Sequence, residues 1–179
     1  MCRKLQQVIL VDELDNEVGS QEKIAAHELA QCHRAFSVFI YRIHGKELEI
    51  LLQQRQFNKY HCGGLWTNTC CSHPQPGEHT RSAAQRRLQE EMGIKASLTY
   101  VDKFHYIARF NNGLTENEVD HVFIGCFTGT PAINRTEVSH YRWSSIPTLR
   151  EEIAKTPNDF TPWLLPALDI ACKKLNSLV

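Results

Sequence analysis

One stretch of this chain leaves little choice of fold. From Thr80 onward, Ala84, Leu88 and Met92 recur at i, i+4 and i+8 as an apolar stripe, and Gly93 follows as the usual left-handed C′ residue. The segments around that helix are rich in β-branched and aromatic residues. Residues 35–43 and 48–54 flank the turn His44-Gly45-Lys46 as a hairpin, and residues 96–110 and 114–127 flank Asn111-Asn112-Gly113 as a longer one. Residues 8–14 predict a first strand, residues 65–72 another that His73 and Pro74 end, and residues 141–144 a last strand. Ser20 is placed to cap a short helix that carries His27 and runs to about Gln31. A final helix is expected to begin at Thr161 and Pro162, burying Trp163, Ala167, Leu168, Ala171 and Leu175. Strands dominated by hairpins and mixed with about three helices predict an α+β or mixed α/β sandwich.

The chain has 179 residues, 42% of them apolar and 22% charged, so one domain spanning residues 1–179 is expected. No repeat or low-complexity linker divides it. Twenty basic residues balance twenty acidic ones, which leaves no broad basic field for nucleic acid or anionic lipid. Apolar runs fall far short of the roughly 20 residues of a spanning helix, and the amino-terminal MCRKLQQVILVDELD has no signal-peptide pattern. The expected location is the cytosol, without nucleic-acid or membrane partners, and the expected state is a monomer. Seven cysteines, Cys2 among them, form an odd set without CxxC spacing, which argues for reduced thiols. Nine histidines, several of them close to Cys or Glu, direct attention to a metal or an acid/base site.

The helix that follows residue 80 carries Arg86 and Arg87 four residues before Glu90 and Glu91. Arg before Glu is the poorer orientation for helix support. A divalent metal with a phosphorylated ligand explains the pattern better: carboxylates take Mg²⁺ together with phosphate oxygens, and Arg neutralises the remaining charge. The spacing of Glu78, Arg86, Leu88, Glu90, Glu91, Gly93 and Ile94 resembles the Nudix box over residues 72–94. Ser72 stands where the box opens with Gly, and Arg87 stands where it has Glu. One carboxylate of the hydrolytic metal cluster is thereby missing, although hydrolysis of a nucleoside diphosphate derivative stays as the alternative.

With HRAFSVFIY, TNTCCSHP, ENEV and TPW, the departures resemble the type I isopentenyl-diphosphate isomerases, a Nudix-fold family, from about Lys23 to Trp163. The resemblance implies a mixed sheet sandwiched between helices, and reversible conversion of isopentenyl to dimethylallyl diphosphate. It also implies catalytic roles for Cys71, Glu118 and Tyr106, and a tight metal on His27, His33, His73, Glu116 and Glu118. Further, it implies a diphosphate clamp of Lys23, Arg55, Lys59, Ser72 and Arg87, with Glu91 holding a Mg²⁺ that arrives with substrate. The loop Cys62-Gly63-Gly64 departs from the commoner Pro-Gly, which predicts a changed loop conformation with no catalytic group lost.

Residue chemistry supports such a reading independently. Moving a proton across an alkene through a tertiary cation needs an acid on one side and a base on the other, with no nucleophile to capture the cation. Cys71 and His73 alternate along one predicted strand, and Glu116 and Glu118 along another, so each pair faces one side. Which of Cys71 and Glu118 first acts as the acid stays open. Trp163 can offer its π face to the cation. Three imidazoles with two carboxylates suit Zn²⁺ or Mn²⁺ better than Mg²⁺. His44, His61, His79, His105, His121 and His140 are read as surface or structural. A non-catalytic module holding a structural metal is the remaining rival, and it has no use for Cys71 or Trp163.

Overall fold

A computed structural model describes residues 6–178 of the chain; Cys2 and the basic start of the amino terminus lie outside them. The elements follow in the order β1 (Gln7–Val11), β2 (Glu17–Glu22), α1 (Lys23–Glu28), β3 (His33–His44), β4 (Glu47–Arg55), β5 (Trp66–Thr67), β6 (Cys70–Ser72) and α2 (Thr80–Met92). Then come β7 (Thr99–Arg109), β8 (Thr115–Cys126), β9 (Val138–Ser145), α3 (Ile146–Lys155), a single 3₁₀ turn and α4 (Leu164–Leu175). All nine strands of the described residues belong to one sheet.

Strand β3 is its spine. Along one edge it runs parallel to β8, from His33 opposite Glu118 to Tyr41 opposite Cys126. The other edge forks: β6 pairs with residues 36–38 of β3, while β4 pairs with residues 40–44 and then departs toward β9 and β5. Thr69 fills the fork, its hydroxyl accepting from the Ile40 amide at 2.8 Å and donating to the Leu51 carbonyl at 2.6 Å. Side-chain alternation divides the apolar residues between the two faces. Phe36, Val38, Ile40, Leu51 and Phe123 pack under α2 with Ala84, Leu88 and Met92. Phe39, Ile50, Leu52, Val122 and Ile124 pack under α3 and α4 with Leu149, Leu164 and Leu168. The sheet is therefore sandwiched between helices, and each fully buried Leu or Phe contributes roughly 1.5–3 kcal/mol.

The expected helix at residues 80–92 forms, and Gly93 closes it at φ 66° with its amide on the Gln89 carbonyl. A Cβ there would stand 2.6 Å from the Ala132 carbonyl oxygen, so both backbone and space demand glycine. Both hairpins form. Ser20, however, does not cap α1: it lies in β2 opposite Ile9, because the β1–β2 ladder claims the segment. Glu22 is the cap instead, its carboxylate accepting from the Ala25 amide at 3.0 Å. The first strand ends at Val11, and Leu14 is exposed in the turn beyond it. Residues 65–72 are not one strand but β5 and β6, parted by Asn68 and Thr69, whose side chains bond the β3 backbone at Val38 and Ile40 across the fork. The last helix starts at Leu164, with Trp163 as its cap residue. The sequence reading did not anticipate β2 or α3, although Ser145, whose hydroxyl accepts from the Thr148 amide, marks the start of α3. All six described cysteines are free thiols, and among the described residues no helix is long and apolar enough to cross a membrane.

Candidate active site

Where the β3 edge forks, a cleft opens on the sheet, walled by β6, β8, the residue 56–64 loop and Trp163. Lys23, Arg55, Lys59, Cys71, Ser72, His73, Arg87, Glu91, Tyr106, Glu116, Glu118 and Trp163 all line it. His27 and His33 lie fully buried beside it. The sequence-derived residues are thus brought together, from elements as distant in the chain as α1 and the start of α4.

His27, His33, His73, Glu116 and Glu118 each place one donor atom within 4.8 Å of all the others. His27 Nδ1 lies 2.6 Å from the Lys23 carbonyl oxygen and His33 Nδ1 lies 2.8 Å from that of Gln31, so both rings carry their proton on Nδ1. The lone pair of each Nε2 then faces a carboxylate: His27 toward Glu116 Oε2 and His33 toward Glu118 Oε1, both at 3.2 Å. Neither buried Nε2 has a hydrogen-bond partner among the described residues, nor does Glu116 Oε2. Buried acceptors that face one another are costly. A proton would relieve one pair at a time, whereas a divalent cation satisfies all five donors, so the set fits a metal, with ring protons anchored on backbone carbonyls as ligating imidazoles require.

Cys71 faces the cleft from β6 as the cross-strand partner of Ser37, while its neighbour Cys70 is buried in the core under α2. Burial outweighs the nearby Arg55 guanidinium and pushes the Cys71 thiol up to about 11, so sulfur keeps its proton at neutral pH. Burial would also raise Glu118, but the neighbouring His33 and His73 imidazoles prevail and hold its carboxyl well below the usual range. Tyr106 donates to Glu118 Oε2 at 2.5 Å. Trp163 is held by its indole N–H on Asn68 Oδ1 at 3.2 Å, with the Arg55 guanidinium 5.5 Å from its ring centre.

The cationic end collects Lys23, Arg55, Lys59 and Arg87. Lys23 is lowered to about 8, first by burial and then by its neighbours Lys59 and Arg55. Arg87 bonds Glu90 and Glu91 at 2.6 Å each, Glu91 also accepts from Gln53, and Lys59 pairs with Glu137. Four clustered cations with only shared carboxylates form a site for a polyanion.

Three groups escaped the sequence reading. His61, there read as surface or structural, is 7% exposed, lines the cleft and approaches Glu116 Oε1 at 2.9 Å through Nε2. Tyr60 packs its ring 5.1 Å beneath the Lys23 ammonium. Nothing in the linear pattern of that loop points inward. Asp120, by contrast, continues the alternation of Glu116 and Glu118 on β8, and that period alone would have found it. Its carboxyl, bonded by the Ser37 hydroxyl at 2.7 Å, is raised well above the usual range by burial and by Glu118.

The NUDIX domain profile matches residues 32–164. An isopentenyl-diphosphate Delta-isomerase 2 of Aromatoleum aromaticum is 45% identical over 172 residues, covering 95% of this chain and 89% of that protein. The isopentenyl-diphosphate Delta-isomerase of Serratia proteamaculans is 48% identical over 158 residues, covering 88% and 87%. The chain belongs to the isopentenyl-diphosphate Delta-isomerases of the NUDIX family. Its fold is shared with proteins of much lower sequence identity. A crystal structure from Deinococcus radiodurans superposes with a TM-score of 0.68 at 20% identity, covering 84% of this chain and 90% of that one. The NUDIX domain of Shewanella oneidensis NrtR, solved with ADP ribose, gives 0.62 at 16% identity, covering 79% and 86%.

Proposed function

We propose that this isomerase interconverts isopentenyl and dimethylallyl diphosphate by adding a proton to one side of the alkene and removing one from the other, with Cys71 and Glu118 as the two exchanging groups. The observation that carries this reading is the pairing of a protonated thiol and a carboxylate in one cleft, beside a cluster of cations. Together they can give one proton and take one. Because the reaction is reversible, each group is the acid in one direction and the base in the other. Tyr106, hydrogen-bonded to Glu118, steadies that carboxylate and relays its proton. Trp163 faces the developing tertiary cation with a π surface, which stabilises charge without forming a bond.

Lys23, Arg55, Lys59, Ser72 and Arg87 hold the diphosphate, and Glu91 would hold a Mg²⁺ that would neutralise phosphate charge. His27, His33, His73, Glu116 and Glu118 hold a second divalent ion, Zn²⁺ or Mn²⁺ by the chemistry of three imidazoles and two carboxylates. When bound, that ion supplies positive charge that orients Glu118 and tunes its acidity. A hydrolase of nucleoside diphosphate derivatives is disfavoured, because Arg87 occupies a box carboxylate position and pairs with Glu90 and Glu91.

The test is incubation of the metal-replete protein and Mg²⁺ with isopentenyl diphosphate in D₂O, followed by NMR. Deuterated dimethylallyl diphosphate is expected from the wild type, and almost none from Cys71→Ala or Glu118→Gln in folded form. Substantial turnover by either variant would overturn the two-sided assignment.

A further inference from the structure

His61 enters the site from the loop between β4 and β5, and no role has yet been given to it. The loop turns back at Cys62, whose φ is 51°, and presents the His61 ring inward. There it stacks on Phe110 with centroids 5.3 Å apart and planes 11° from parallel, and meets Trp163 edge-on at 6.1 Å. On its other side it stacks near His27 at 5.5 Å. The ring therefore stands between the His/Glu cluster and the wall of the cleft. The loop carbonyls are tied down as well, that of Tyr60 by the Asn112 amide nitrogen at 2.9 Å and that of His61 by Arg55 at 3.4 Å.

The two oxygens of Glu116 are divided between two jobs. Oε1 meets His61 Nε2 at 2.9 Å, whereas Oε2 has no hydrogen-bond partner and faces His27 Nε2. We propose that His61 is a positioning residue of the metal centre: its Nε2–H holds Glu116 Oε1 and so aims Oε2 at the ion. This rests on the reading of the five-residue cluster as a metal site. The geometry is that of an outer hydrogen bond to a ligating carboxylate, whose loss ordinarily costs about 10–100-fold in metal affinity. A second consequence is mechanical. The loop that delivers Lys59 and flanks Arg55 is anchored, through this one bond, on a residue of the metal cluster, so the diphosphate end and the metal end of the cleft share a support.

The experiment measures Zn²⁺ affinity of the apo wild type, His61→Leu and His61→Gln by competition with a chelating dye, and Co²⁺ absorption spectra of the same proteins. No substrate is present. His61→Leu should bind Zn²⁺ about 10–100-fold more weakly and shift the Co²⁺ bands. His61→Gln, which restores a donor near the position of Nε2, should recover affinity to within about threefold and return the bands toward the wild type. If His61→Leu does not fold, His61→Phe takes its place, keeping the stack on Phe110 without an N–H. Equal affinity in wild type and His61→Leu would overturn the proposal, as would equal losses in the Leu and Gln variants, which would leave His61 a packing residue only. A wild type that binds no Zn²⁺ would instead overturn the metal-site reading on which the proposal stands.

Discussion

Tyr106 and Glu118 are direct cross-strand partners in the β7–β8 hairpin, and the phenol donates to the carboxylate at 2.5 Å. Burial and the Glu118 charge raise the Tyr106 pKa well above its usual value, so the phenol is protonated at neutral pH. Tyr106→Phe removes a hydrogen bond to a charged group, worth about 1.5–3 kcal/mol. Turnover is expected to fall about 10–100-fold, with little change in KM and no lost alkaline limb in the pH profile. A larger change in KM than in kcat would count against a role at Glu118.

Trp163 should be replaceable by a ring and not by an aliphatic chain. A desolvated cation–π contact contributes about 2 kcal/mol, or about 30-fold in rate. Trp163→Phe is therefore expected to retain much more kcat than Trp163→Leu, with thermal melts of both variants showing how much of each loss is packing. Equal rates in the two would remove the cation–π role. Because the indole N–H bonds Asn68, both variants should also lose some stability.

Lys23 gives binding a pH dependence. With its folded value lowered to about 8 by burial, Lys59 and Arg55, it is charged below that pH and loses its charge as pH rises through it. A bound diphosphate favours the ammonium, so binding between roughly pH 8 and 10 takes up a proton. Affinity for inorganic diphosphate should accordingly weaken from pH 7 to pH 9.5, read by titration calorimetry in buffers of different ionisation enthalpy. Lys23→Met should bind weakly and should lose the proton uptake that Lys23 contributes over that range. A wild-type affinity independent of pH would show that Lys23 does not meet the phosphates.

Metal loss should cost stability as well as activity. A site filled at about 100-fold its dissociation constant adds about 2.7 kcal/mol, which for a chain of this length is about 5–10 °C in Tm. A chelator should lower the melting temperature by that amount, and added Zn²⁺ or Mn²⁺ should restore it, whereas His27→Ala should make the melt insensitive to either. Unchanged melting in the chelated wild type would mean that the acceptors of the cluster are satisfied without an ion.

Much of the fold could be read from local chemistry. The apolar stripe of α2 and Gly93, the hairpins around Gly45 and Gly113, and the buried face of α4 depend on period and turn conformation, which neighbouring residues carry. Where the reading erred, a longer-range contact overrode a local preference. Ser20 suits a helix cap, yet its pairing with Ile9 puts it in β2. Residues 65–72 suit one strand, yet Thr69 bonds both arms of the fork and breaks them in two.

The same division holds at the site. Composition and spacing supplied the residue types, among them the alternating carboxylates of β8 and the Arg-Glu pattern of α2, and the Asn111-Asn112-Gly113 turn set the register that places Tyr106 on Glu118. Only the tertiary structure decided that β3 and β8 run parallel with His33 opposite Glu118, and that β6 inserts at the fork with Cys71 toward the cleft. It alone turned His61 onto Glu116. Sequence period fixes which residues share a face, but which faces meet depends on strand partners dozens of residues apart, chosen by burial of the whole core and not by any local pattern.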